Sequence, residues 1–348
     1  MLPSKQKYYQ YLLEKELAYP SLMILQDKVS DYFHRIHGTY TSAFPNHACD
    51  LIWPGQEIID VVLFGDALQT IVWAKNWPRK PKYRLWVLCH DMKRIINDLV
   101  GISLSSIGVI PRYEIFPMPQ SPYPLPSTKE NFHFVMSSSY ALSKNIELTI
   151  GVVNEIQKRS QGEVKLTICS PKPEEYLARN AIKKLKWKFT PEIKGDLGLN
   201  WQETLPKDSV MINFSTNLFE DFGVSAAQAQ EVGFPLIVSD WGAHKDLAGE
   251  NILKVPPSVF GHHITKENMQ SRITRTVDFI EKALNEPPST FPKLCEHLKP
   301  KALNIEQILN YTSKFESQDM EKVRDLFRAS IYDPQNHIAQ NILKHFSP

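Results

Sequence analysis

Over the first 35 residues, apolar positions recur every three and four residues. In Y-Y-Q-Y-L-L-E-K-E-L charges fall between them, and the spacing predicts helix from residue 1 to about 35. Past a loop rich in His, Pro and Asn the period changes. I-I-D-V-V-L-F-G-D (58–66), β-branched and large apolar residues closed by Gly65-Asp66, reads as a buried strand. Residues 67–77 read as helix up to Pro78, and Y-R-L-W-V-L (83–88) as a strand running into Cys89-His90-Asp91. A helix over 92–100 stops at Gly101, and S-I-G-V-I-P-R (106–112) is a third strand. Strands alternating with such helices predict a parallel sheet.

The alternation then breaks. I-F-P-M-P-Q-S-P-Y-P-L-P-S-T-K-E (115–130) holds five prolines, which fit neither a helix nor a central strand, so the segment reads as a linker. Beyond it strands are expected at 132–136, 164–169, 209–214 and 236–239, and helices at 145–159, 174–185 and 225–232. The apolar alternation from Leu185 to Phe189 fits an edge strand, and the tail from about 301 reads as helical. The chain therefore divides into two α/β halves. Residues 1–120 form one and 126–320 the other, with 321–348 a C-terminal helix crossing back to the first. Ligands of such sheets bind outside the carboxyl ends of the strands, so the crevice between the halves is the expected site.

One stretch offers chemistry there. In V-M-I-N-F-S-T-N-L-F-E-D-F-G-V-S-A-A-Q-A-Q-E (210–231) a strand runs into a loop carrying Glu220, then Phe222-Gly223, then a helix. The first helical N–H groups, near Val224 and Ser225, have no intrahelical acceptor and carry the positive end of the helix dipole. A phosphate fits in front of them, and glycine permits its close approach. Glu220 is placed to accept hydrogen bonds from sugar hydroxyls, and Gln228, one turn into the helix, to reach a second polar group. Tight packing alone also explains a glycine at that point.

Composition narrows the rest. The chain has 348 residues, 42% hydrophobic and 22% charged, the balance of an ordinary globular protein long enough for two domains. Its formal charge of +2 implies no general field for polyanions, and no nucleic-acid-reading motif is present. The four cysteines are widely separated and lack zinc-ligand spacing, which predicts free thiols in a reducing cytoplasm. No secretory signal and no apolar run long enough to span a bilayer is read, so the expectation is a cytoplasmic protein. No D-x-D and no cluster of His with carboxylates suggests a metal.

The stretch from Asp208 to Ala243 resembles the donor-binding region of glycosyltransferase family 4, the group-1 class of GT-B enzymes. F-V-M-S-S-S-Y-A-L-S-K-N-I-E-L (134–148) resembles the strand and helix that open that family's C-terminal domain. V-I-P-R-Y-E-I-F-P (109–117) resembles the strand that closes its N-terminal domain. The similarity runs from about 105 to 260. It implies an α/β GT-B fold, two Rossmann-like domains facing a central cleft. It implies glycosyl transfer from a nucleotide sugar to a glycan, lipid-linked or other acceptor, with retention of configuration and without a cofactor or metal.

The resemblance also assigns residues. Glu220 falls on the glutamate that meets the donor sugar, and Gln228 on the position where a ribose-binding Glu is usual. Lys144 falls on the lysine facing the donor diphosphate, Ser139 where an arginine usually joins it, and Phe222, Gly223 and Val224 on the loop meeting phosphate or sugar. His90 falls on the histidine of the family's strand-His-Asp loop, and His244 on a loop that more often carries Gly and Glu. Glu220 and His90 are thus the expected catalytic pair. The first 120 residues lack the family's glycine-rich loop. That lack, with Ser139 and Gln228, supports a second reading, a transferase-like protein that binds a partner or glycan without catalysis. Ala181–Phe189, the densest basic run, offers a peripheral contact with an anionic lipid surface at the inner face of the membrane.

Overall fold

The computed structural model describes residues 41–43, 48–52, 59–63, 83–93, 97, 105, 107–110, 125, 131–138, 144–170, 175–195, 204–216, 223–249, 251–261 and 268–285. They form two sheets. The first has the order β1-β2-β3-β4-β5, with β1 at Thr41–Ala43, β2 at Ala48–Ile52, β3 at Ile59–Leu63, β4 at Tyr83–Val87 and β5 at Ile107–Val109. β3, β4 and β5 pair in parallel as the alternation predicts. β1 and β2 do not. They lie where a loop was expected and pair antiparallel with each other and with β3, so this sheet is mixed. Strands of three and five residues among His, Pro and Asn carry too little period-two signal to be recognised alone.

The second sheet is parallel throughout, in the order β11-β10-β9-β6-β7-β8. Its strands are β6 (Phe132–Ser137), β7 (Val164–Cys169), β8 (Glu192–Lys194), β9 (Val210–Asn213), β10 (Leu236–Ser239) and β11 (Ile252–Val255). The helices are α1 (Ile146–Arg159), α2 (Glu175–Lys183), α3 (Val224–Glu231), α4 (Pro257–Phe260) and α5 (Met269–Leu284). Both faces of the sheet are covered at its centre, which is why β9 and β10 are buried at every position. Phe132, Phe134 and Met136 of β6 pack with Ile150 and Val153 of α1 and Ile273 and Val277 of α5. Val135, one residue out of phase, joins Met211, Val238 and Ala226 and Ala229 of α3 on the opposite face.

One expectation fails for a clear reason. Residues 185–189 are not an edge strand; the edge strand is β8, further on. The amide of Gln157, fully buried on α1, accepts from the backbone N–H groups of Lys188 and Phe189 at 2.6 and 3.2 Å. It donates to Phe189 O at 3.1 Å and to Val164 O at 2.8 Å. Asn154 donates to Lys186 O at 2.6 Å. Backbone groups that a neighbouring strand would bond are thus satisfied by two helix side chains.

α1 and α5 approach closely at Gly151. A Cβ built there would lie 2.4 Å from Ile273 Cδ1 and 3.0 Å from its Cγ1. Nearby, Arg159 of α1 bonds Asp278 and Glu281 of α5 at 2.7 and 3.1 Å. These ion pairs are partly exposed and contribute at most about 1 kcal/mol each, so the apolar seam dominates the contact. Gly151→Val is expected to lower stability to urea by about 1–3 kcal/mol through overpacking. Ile273→Ala in the same chain should recover part of that loss, and equal losses with and without Ile273→Ala would refute the seam.

Candidate functional site

In the second sheet the chain order reverses beside β6. From β6 it proceeds through β7 to β8, then returns to β9 on β6's other side. The carboxyl ends of β6 and β9 therefore flank a topological switch point, where open α/β sheets bind ligands. The segment after β6 leads to Lys144 and α1, and the segment after β9 leads to Gly223 and α3.

A buried amide ties these two segments together. Asn145, immediately before α1, has φ 51° and ψ 38°, a left-handed conformation that asparagine tolerates better than most residues. Its side chain makes no cap to its own helix. Instead it donates to Phe214 O at 2.9 Å and Thr216 Oγ1 at 3.1 Å, in the chain following β9. Its Oδ1 accepts from Arg272 of α5 at 3.3 Å, and its backbone carbonyl accepts from the amide and hydroxyl of Thr149. Arg272, only 3% exposed, also donates to Phe260 O at 2.7 Å and Gly261 O at 3.0 Å, the carbonyl end of α4. Neither Asn145 nor Arg272 was singled out from the sequence as functional. The available signal was an arginine on the apolar stripe of an amphipathic helix, beside Ile273 and one turn before Thr276.

Gly223 precedes α3 with φ 65° and ψ 57°, where a side chain would be strained, and its carbonyl accepts from Ala227 N at 2.9 Å. Val224 is partly exposed as the first residue of the helix, and Gln228 is buried one turn further. Lys144 is partly exposed beside Asn145. Of the expected donor-binding residues, the fold thus brings Lys144, Gly223, Val224 and Gln228 to the two segments at the switch point. Ser139, Glu220 and Phe222 lie outside the described residues.

The remaining sequence candidates are histidines. His90 follows β4 of the first sheet, starting a helical turn, with its side chain 74% exposed. Its backbone N–H and its Nδ1 both meet Asp246 Oδ2, at 2.9 and 3.1 Å, and the adjacent Asp91 pairs with Lys245 at 2.9 Å. Lys245 and Asp246 close a 3-10 turn, Gly242–Asp246, that follows β10. His244 in that turn is fully buried and bonds Ser239 Oγ through Nδ1 at 3.0 Å, while Ser239 donates to Ser215 O. His244 therefore serves as a core anchor of the turn rather than a residue open to a ligand.

A surface cavity of about 760 Å³ lies at the opposite, amino-terminal end of β6 and β7. Half-buried His133 in its wall bonds Ser209 Oγ at 3.1 Å and Thr167 Oγ1 at 2.8 Å. Among the described residues, no group of three or more His, Cys, Asp or Glu side chains is arranged to hold a metal ion. Of the thiols, Cys169 is buried, which pushes its pKa up to about 12.

The sequence profile of the family described as Glycosyl transferases group 1 matches residues 120–302, more than half of the chain. The chain belongs to this family. As a group 1 glycosyltransferase it has a Rossmann-like GT-B fold, and the parallel sheet of β6–β11 lies within the matched residues. No curated protein sequence matches the chain. A crystal structure of a GtfA/B complex is similar at 19% identity and TM-score 0.43, covering 70% of this chain and 45% of that one. The lipopolysaccharide outer core galactosyltransferase WaaB is similar at 16% identity and TM-score 0.38, covering 66% of this chain and 62% of that one. Anabaena HepE in complex with UDP and glucose is similar at 13% identity and TM-score 0.43, covering 82% of this chain and 70% of that one. The chain thus spans less than two thirds of the length of the first two.

Two outcomes follow from these contacts. Asn145→Ala combines a left-handed backbone with the loss of three buried side-chain hydrogen bonds, whereas Asn145→Gly loses the bonds but relieves the backbone. Both are expected to destabilise in urea titrations, Ala by about 1–2 kcal/mol more than Gly. Equal losses would mean that strain at Asn145 is negligible. Burial lowers the pKa of His133 below 6.5, opposed by Asp208 and Glu192 and reinforced by Lys194 and Lys165. The unfolded chain then binds the proton more readily, so His133 contributes stability above about pH 6.5 that is lost as pH falls. Stability of His133→Gln should accordingly fall less than wild type between about pH 7.5 and 5; parallel curves would exclude the effect.

Proposed function

We propose that the chain transfers a glycosyl group, in the hexosyl class, from a nucleotide-sugar donor to a glycan or lipid-linked acceptor, with retention of configuration and no metal ion. The observation that carries this reading is that Lys144 and Gly223 follow the two strands that flank the switch point, with Asn145 bonding across to Phe214 and Thr216 after β9, in a group 1 glycosyltransferase. In this reading the donor diphosphate lies between the Lys144 ammonium and the first N–H groups of α3. Those groups stabilise the charge that builds on the leaving diphosphate as the glycosidic bond breaks. Glu220 meets the sugar hydroxyls, Gln228 the ribose, and His90 the sugar from the side of the first sheet.

The division at residues 120–126, with a final helix from 321, belongs to the same reading, as does a cytoplasmic location. No helix among the described residues is long and apolar enough to cross a membrane. A peripheral lipid contact through residues 181–189 uses lysines already partly engaged. Lys184 pairs with Glu147 at 3.2 Å, Lys188 bonds the carbonyls of Lys158 and Ser160, and Trp187 donates inward to Ile182 O.

Calorimetric titration with UDP, GDP, ADP and CMP tests the donor site, and UDP, present in the Anabaena structure, heads the series. Saturable binding of one nucleotide is expected. Lys144→Ala should weaken it about tenfold or more, the range for a lost charge-assisted contact. Glu220→Ala should spare the nucleotide and weaken the matching nucleotide sugar. Absence of binding by any nucleotide at millimolar concentration would overturn the reading and favour a partner- or glycan-binding module.

A further inference from the structure

His90 and Asp246 are 156 positions apart and belong to the ends of strands in different sheets, yet two hydrogen bonds converge on one oxygen. The backbone N–H of His90 fixes Asp246 Oδ2 at 2.9 Å whatever the ring does, and Nδ1 meets the same oxygen at 3.1 Å. An ionised carboxylate only accepts hydrogen bonds, so Nδ1 carries the hydrogen. The neutral ring then has its lone pair at Nε2, which has no partner among the described residues on a side chain 74% exposed. Neighbouring charges reinforce the arrangement. Lys245, next to Asp246, pairs with Asp91, next to His90, at 2.9 Å, so the two dipeptides hold each other reciprocally. Lys93, one turn beyond His90, is the other charged group on that element. The carboxylate is 16% exposed against 74% for the imidazole, so Asp246 is the fixed member of the pair. Its support is internal, because the turn that carries it is anchored by buried His244 on Ser239.

We propose that Asp246 is the positioning residue for His90, locking the Nδ1–H tautomer so that Nε2 of the exposed ring is left as an acceptor for a substrate hydroxyl. This deepens the proposed transferase reading and rests on it for the identity of the hydroxyl, that of the sugar being transferred or accepted. In this state neutral His90 accepts a hydrogen bond or proton at Nε2 and does not donate one.

Nitrogen-15 NMR of the histidine rings at about pH 8, above the ordinary imidazole range, tests the lock without any substrate. His90 is assigned by the signal missing from His90→Asn. Wild type is expected to show the Nδ1–H pattern. Asp246→Ala should move it toward Nε2–H, whereas Asp246→Asn, which keeps an acceptor oxygen, should restore it at least in part. An Nε2–H pattern in wild type, or no change in Asp246→Ala, overturns the assignment; the wild-type spectrum decides it even if Asp246→Ala fails to fold. With the nucleotide sugar that binds, Asp246→Ala should lower kcat about two- to fivefold, the range set by an exposed charged pair, with little change in KM. In a His90→Ala background it should lower kcat no further, and additive losses would again overturn the proposal. If wild type transfers no sugar while the ring tautomer follows Asp246, the transferase reading fails and the hold of Asp246 on His90 stands.

Discussion

The switch point depends on where one buried asparagine sends its side chain. A residue in the Asn145 position, ahead of a helix, ordinarily satisfies the helix's own first N–H groups. Asn145 leaves that work undone and spans instead to Phe214 and Thr216, while Arg272 reaches it from α5. Three separated pieces of chain thereby share one amide. Its cost is a left-handed backbone and the desolvation of a guanidinium, offset by directed hydrogen bonds to carbonyls. Its effect is to fix the start of α1, next to Lys144, against Phe214 and Thr216 in the chain that follows β9. The junction adds to the frame that the pairing of β6 with β9 already gives the two segments.

Much of the fold was legible because parallel central strands are largely apolar and bounded by turn residues. β6, β7, β9 and β10 fall within about two residues of the expected spans, and so do α1 and α3. The misses share a cause, which is that period alone does not say where a backbone group finds its partner. Leu185 to Phe189 alternates like a strand, yet Gln157 and Asn154 take up its backbone groups. β1 and β2 form a short antiparallel edge whose pairing is set by β3 rather than by their own pattern.

The site divides in the same way. Lys144, Gly223, Val224 and Gln228 stand beside recognisable strand ends and were legible from motif spacing. Asp246, Arg272 and the role of Asn145 were not, since each acts across more than 60 positions through a contact that leaves no local signature. The histidines show why residue type alone misleads. Three of them, His90, His133 and His244, lie near strand ends, yet one is exposed on a carboxylate, one sits in a polar wall at the far end of the sheet, and one is core.

Burial also bears on the departures from the family pattern. Gln228 is 6% exposed. A glutamate there would have to be held ionised against a large desolvation cost, or would take up a proton and lose its advantage. A glutamine is cheaper to bury and can still donate and accept toward a diol, so in the proposed donor site the substitution leaves no unpaired buried charge. In the same proposed site Ser139, where the family resemblance implies an arginine, is the larger loss, because a bidentate guanidinium contact to phosphate has no neutral equivalent. In the proposed donor site, what remains for the diphosphate is a single ammonium and the oriented N–H groups of α3. Backbone groups cannot shift to compensate, so a grip of this kind requires a fixed start of α1, which Asn145 ties to Phe214 and Thr216 after β9.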